Sequence, residues 1–127
     1  MKEIPAGSYV GYDLTEKVSK KTKIAVLPIG YWHGYDRGLS GIGEVLIGGR
    51  RAKVLGRVSM DMITVDITDI GNKPIDKSLK PKVGDEAVLI GKQGKKEIWA
   101  DELALKINTS QYEILTRINP LIRRVIK

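Results

Sequence analysis

The chain has 127 residues, 42% of them hydrophobic and 29% charged, with 22 Lys and Arg against 15 Asp and Glu for a net charge of +7. This is the make-up of one globular domain able to bury a core unaided, not of a disordered segment. Cysteine is absent, which excludes disulfides, thiolate metal ligands and thiol nucleophiles. No apolar run approaches the ~20 residues of a membrane-spanning helix, and the N-terminus lacks the apolar centre of a signal peptide.

In chain order, Pro5-Ala6-Gly7-Ser8 comes at once and Tyr9 and Tyr12 follow. That start leaves no room for an introductory element, so a domain cut from a longer chain, or a gene fragment, is expected. Ile24 to Ile29 is a short apolar run bounded by Lys and Gly, the mark of a strand. Glu44 to Ile47 and Arg51 to Leu55 flank Gly48-Gly49, which predicts a hairpin with a tight turn. Met62 to Ile67 alternates faces like a half-buried strand. Asp69 to Pro81 reads as a surface loop. Glu86 to Ile90 predicts a buried strand, Gly91-Lys92-Gln93-Gly94 a turn, and Lys96 to Trp99 its continuation.

Asp101 to Ile107 opens on acids and closes near Lys106, the charge order that suits a helix dipole. A shorter helical turn is expected over Gln111 to Leu115, and strand character returns from Leu121 to Ile126. Together these predict a mainly β fold: an antiparallel, barrel-like domain with one or two short helices near the C-terminus. Closure into a barrel is the expected solution because it removes exposed edges.

The positive charge is dispersed. Its densest groups, Lys17 to Lys23 and Lys73 to Lys82, fall in turn-like segments without interleaved aromatics, so a solvated basic surface is the simpler reading than a nucleic-acid footprint.

Candidate chemistry is concentrated in a few aromatic and charged residues. Tyr12 is either a core ring or, if its phenol is perturbed, an acid or base. Tyr31, Trp32, His33 and Tyr35 crowd around Gly30 and Gly34, where they line a pocket entrance or cap a barrel end. His33 is the only histidine, which disfavours a metal site. Met60 and Asp61 are a core side chain and a turn former, or else offer a backbone amide to a carboxylate. Tyr112 is a core ring or a donor to a phosphate oxygen. Gly48-Gly49 and Gly91 to Gly94 lack the setting of a phosphate loop.

Three stretches carry more than their composition: Gly30 to Arg37, Gly56-Arg57-Val58-Ser59-Met60-Asp61, and Thr109-Ser110-Gln111-Tyr112-Glu113. With Pro5-Ala6-Gly7, Tyr12, Gly84-Asp85 and the run from Tyr112 to Ile118, they resemble in order and spacing the C-terminal domain of alanine racemase, from about Ile4 to Val125, nearly the whole chain. The resemblance implies an amino-acid racemase that uses pyridoxal 5'-phosphate to interconvert L- and D-alanine, supplying a peptidoglycan precursor. It implies an N-terminal (β/α)₈ barrel, absent from this chain, that holds the cofactor on a lysine. It further implies a cytoplasmic head-to-tail homodimer whose active sites join one subunit's barrel to its partner's C-terminal domain.

By the same resemblance Tyr12 is the proton-transfer tyrosine and Met60 binds the substrate carboxylate through its backbone. Tyr31, Arg57 and Asp61 lie at the substrate entrance, and Tyr112 contacts the cofactor phosphate. The chain departs from the family at Trp32-His33, where Ala or Gly then Asp is usual, and at Ser110-Gln111, where Ile-Asn is usual. Both changes lie near the expected entrance and bear on whether alanine, serine or a larger amino acid is preferred. The isolated chain is expected to be inactive. The competing readings are a stand-alone basic β-barrel that binds single-stranded nucleic acid and an interaction domain that has lost catalysis.

Overall fold

The computed structural model describes residues 1–71 and 80–127. Among these residues ten strands form: β1 (Lys2–Ile4), β2 (Tyr9–Val10), β3 (Glu16–Lys17), β4 (Thr22–Leu27), β5 (Glu44–Ile47), β6 (Arg50–Leu55), β7 (Ile63–Asp66), β8 (Ala87–Val88), β9 (Gly91–Gln93) and β10 (Lys96–Ile98). Two 3₁₀ turns, η1 (Tyr31–His33) and η2 (Arg37–Leu39), and two helices, α1 (Ala100–Lys106) and α2 (Gln111–Thr116), complete the described elements.

The centre is the β5–β6 hairpin. Ile47 pairs with Arg50, so Gly48 and Gly49 alone make the turn. Both have positive φ, 57° and 71°, the backbone that a tight, twist-matched hairpin turn demands and that glycine adopts without strain. Val45, Leu46 and Ile47 are almost wholly buried, while β6 and β7 alternate inward and outward residues. The main sheet runs β1-β4-β7-β6-β5-β8, antiparallel at every pairing. β9 pairs with β10 and β2 with β3 in two further ribbons.

The main core joins Leu46, Val54, Ile63 and Val65 of the sheet to Ile98 and to Leu103, Ala104 and Ile114 of the helices. Each Val, Leu or Ile side chain among them contributes about 1.5–3 kcal/mol by leaving water. A smaller cluster of Ile4, Val10, Val18, Ile24 and Leu55 seats the β2–β3 ribbon against the sheet.

The mainly β fold with two short helices near the C-terminus is as expected. Several details differ. The described sheet does not close: β1 and β8 are its edges. The expected buried strand over residues 86–90 shrinks to β8, which is only half-buried. Gly91 to Gln93 is a strand rather than a turn, because Gln93 ties it down: its side-chain oxygen accepts the Gly49 N–H at 2.9 Å and its amide donates to the Glu86 carbonyl at 3.0 Å. The reversal falls instead on Gly94 and Lys95, since Gln93 pairs with Lys96.

Residues 121–126 form no strand. The Asn119 side chain and carbonyl accept the Leu121 and Ile122 amides and fold the segment into a turn. The first lysine group lies partly on β3 and β4 rather than wholly in turns. Most of the loop over residues 69–81, and of the second lysine group, lies outside the described residues.

Candidate functional site

Tyr12 is set by a close backbone crossing. Gly11 abuts Gly56, and a Cβ on Gly11 would lie 2.6 Å from the Gly56 Cα. The contact lets Tyr12 form an antiparallel bridge with Arg57, its N–H donating to the Arg57 carbonyl at 3.3 Å. Thr15 locks the pair, its hydroxyl accepting the Arg57 N–H at 2.9 Å and donating to the Tyr12 carbonyl at 3.3 Å. The Glu16 carboxylate accepts the Gly56 N–H at 2.6 Å, and Arg57 pairs with Asp13 at 3.3 Å. Tyr12 itself is 56% exposed, so it is not a core ring.

η1 lies across the groove from this crossing. The Tyr31 and Trp32 amides donate to the Ser59 and Met60 carbonyls, both at 3.0 Å. His33 Nδ1 accepts the Gly30 N–H at 3.0 Å, and the Trp32 and His33 rings meet edge to face with centroids 5.0 Å apart. Met60 and Asp61 are exposed. No described residue accepts the backbone N–H of either.

These pieces enclose a groove of about 710 Å³ lined by Tyr12, Tyr31, Arg57, Met60 and Asp61. It offers two phenols, a guanidinium, a carboxylate and unpaired amides, a set suited to a small molecule carrying a carboxylate. Arg37, which the sequence reading does not single out, also lines it; its only signal is its position at the end of the Gly30 to Arg37 stretch. Tyr112 is not among the lining residues. It stands on α2, 71% exposed, with no described partner for its hydroxyl.

Tyr35 drops out as chemistry. It is buried, and burial, with the nearby Glu44 carboxylate adding to it, pushes its phenol far above its usual range. Among the described residues no group of three or more His, Cys, Asp and Glu is placed to hold a metal ion. No described helix is long and apolar enough to cross a membrane.

Residues 1–126 match the family model for the C-terminal domain of alanine racemase. The chain is 48% identical over 124 residues to the alanine racemase of Methylacidiphilum infernorum, spanning 98% of this chain and 30% of that one. It is 43% identical over 127 residues to that of Halothermothrix orenii, spanning 31% of the relative. Among solved structures it is similar to the Bartonella henselae alanine racemase with covalently bound pyridoxal phosphate, with a TM-score of 0.84 at 33% identity over 98% of this chain and 32% of that one. The Streptomyces coelicolor alanine racemase is similar with a TM-score of 0.83 at 35% identity, again over 98% of this chain and 30% of the other. The chain thus spans about a third of the length of these relatives. The nucleic-acid reading gains no support from them.

Proposed function

The chain belongs to the alanine racemase C-terminal domain family, and from that premise we propose that residues 4–127 complete the active site of a pyridoxal-phosphate-dependent racemase interconverting L- and D-alanine. The observation that carries this reading is the groove: Tyr12, whose ring is exposed, and Met60, whose N–H has no described acceptor, line the same space. Racemisation requires the α-proton to leave one face of the substrate and a proton to return to the other. Tyr12 serves one face, moving the proton at its phenolic oxygen. The Met60 N–H receives the substrate carboxylate and fixes which face Tyr12 meets. Tyr31, Arg57 and Asp61 border the way in, where a guanidinium and a carboxylate together favour a zwitterion over a simple anion.

The donor set fits the cofactor at one point. Tyr112 presents a phenol free of described partners, able to donate to a phosphate oxygen. The groove lining contains no lysine, so the lysine that carries the cofactor is assigned to an N-terminal (β/α)₈ barrel in the longer protein. When bound, the cofactor supplies an electron sink for the bond broken at the α-carbon. Because Tyr112 is not among the residues that line the groove with Tyr12, the two are assigned to two different active sites of a homodimer, one in each subunit. A cytoplasmic location follows from the same reading.

The test uses the full-length protein carrying this domain. L-alanine is converted to D-alanine with pyridoxal phosphate, and Tyr12→Phe lowers the rate by roughly 10²–10⁴-fold, the usual worth of a positioned acid or base. The 127-residue chain alone gives no conversion. A Tyr12→Phe enzyme within about threefold of the unaltered rate refutes the assignment of Tyr12.

A further inference from the structure

The Trp32-His33 pair has a place in the geometry that the proposed reaction does not yet use. His33 accepts the Gly30 N–H through Nδ1 at 3.0 Å, so that nitrogen carries no proton and the ring proton sits on Nε2. In return the His33 N–H donates to the Gly30 carbonyl at 3.1 Å. This reciprocal pair closes η1 in the manner of a capping box.

The closed turn is braced on its other side by Asn119. Its side-chain amide donates to the Trp32 carbonyl at 2.9 Å, and its backbone N–H to the His33 carbonyl at 3.1 Å. So held, η1 presents the Tyr31 and Trp32 amides to the Ser59 and Met60 carbonyls. The approach depends on Gly30 having no side chain: a Cβ there would lie 2.6 Å from the Met60 carbonyl carbon and oxygen and closer still to the Ser59 oxygen.

The peptide joining Ser59 to Met60 is trans, so its carbonyl and N–H point in opposite directions. Tying the Ser59 carbonyl to Tyr31 therefore aims the Met60 N–H away from η1. Tying the Met60 carbonyl to Trp32 does the same for the Asp61 N–H. Neither amide has a described acceptor.

We infer that His33 is a positioning residue: through Gly30 and the amides of Tyr31 and Trp32, it sets the aim of the Met60 N–H that receives the substrate carboxylate. The inference rests on the carboxylate role assigned to Met60 above. Removing the His33 acceptor frees the Gly30 N–H, loosens η1 and lets the 59–60 peptide rotate, which weakens carboxylate binding more than proton transfer.

The experiment measures KM and kcat for L-alanine in the full-length protein, and the competitive inhibition constant of propionate, which has the substrate's carboxylate and no amine. His33→Ala raises KM and the propionate constant together by about tenfold, the scale of one hydrogen bond to a charged group, with kcat within about threefold. His33→Asn restores both constants to within about twofold, because Oδ1 stands as many bonds from Cα as Nδ1 does and accepts the same N–H. Asn119→Ala, which loosens the same turn from its surface side, raises both by about threefold and serves if His33→Ala does not fold.

A folded His33→Ala enzyme with both constants unchanged overturns the positioning role, as does a His33→Asn enzyme as impaired as the alanine variant. Failure of the carboxylate assignment looks different. Propionate then does not compete with L-alanine in the unaltered enzyme, and the positioning role falls with it.

Discussion

Tyr35 and Gly43 pose a quantitative test of the packing beneath η1. Tyr35 is 5% exposed and its hydroxyl has no described hydrogen-bond partner. An unpaired buried hydroxyl costs about 1–3 kcal/mol. Tyr35→Phe keeps the ring and deletes that oxygen, so it stabilises the domain by about 1 kcal/mol once the small void is counted, or about 3 °C in Tm. Gly43 lies against the same oxygen: a Cβ there would collide with it and stand 3.1 Å from the Leu39 Cβ and carbonyl oxygen. Gly43→Ala is therefore an overpacking change costing about 2–3 kcal/mol.

In the Tyr35→Phe background the hardest of those contacts is gone, and the cost falls by about 1 kcal/mol. Urea denaturation of the four proteins of the cycle gives the coupling directly. The pH dependence adds a check. A folded-state phenol pushed up by burial contributes stability that is complete below its unfolded value of 10.0 and is lost as pH rises toward the folded value. Tyr35→Phe thus reduces the alkaline loss of stability above about pH 10. Destabilisation by Tyr35→Phe of more than about 1 kcal/mol, or strict additivity of the two substitutions, refutes this account of the buried oxygen.

Two other outcomes are expected from the same coordinates. The Arg51 guanidinium bonds both Glu102 oxygens and Glu44 at 2.7–2.8 Å, and that bond, opposed by partial burial and helped by Lys106, holds the Glu102 carboxyl below its ordinary range. A depressed carboxyl stabilises above its unfolded value and loses this as pH falls through the folded one. Arg51→Met therefore costs about 0.5–1 kcal/mol at neutral pH, discounted for exposure, and the difference from wild type shrinks in urea titrations below about pH 4. Gly11→Ala places a Cβ 2.6 Å from Gly56 at a φ of +85°; it breaks the Tyr12–Arg57 bridge, which hydrogen exchange reads as faster exchange of the Tyr12 amide proton.

What local sequence determines is visible in the hairpin and the helices. Gly48-Gly49 between two apolar runs can only reverse the chain tightly, and the acids at the start and Lys106 at the end of α1 match its dipole whatever it packs on. The three motif stretches likewise carry the family resemblance in the sequence itself. The groove is different. Arg57, which lines it, and its ion-pair partner Asp13 are 44 positions apart, and the Gly11–Gly56 crossing brings Tyr12 to Arg57 and Met60. Nothing near Tyr12 in the chain indicates that its ring is exposed.

The misplaced turn at Gly91 has the same origin. Glycine permits a turn there, but the Gln93 side chain, accepting from the Gly49 N–H and donating to the Glu86 carbonyl, converts the segment to a strand. Local propensity is a matter of a few tenths of a kcal/mol to about 1 kcal/mol per residue, and two hydrogen bonds made by one side chain outweigh it. Residues 121–126 have strand-like composition but no described strand to pair with, and a strand exists only through its partner. The aim of the Met60 amide depends on Gly30, Tyr31, Trp32, His33, Ser59 and Asn119, from three separate stretches, so it is a property of the tertiary structure alone.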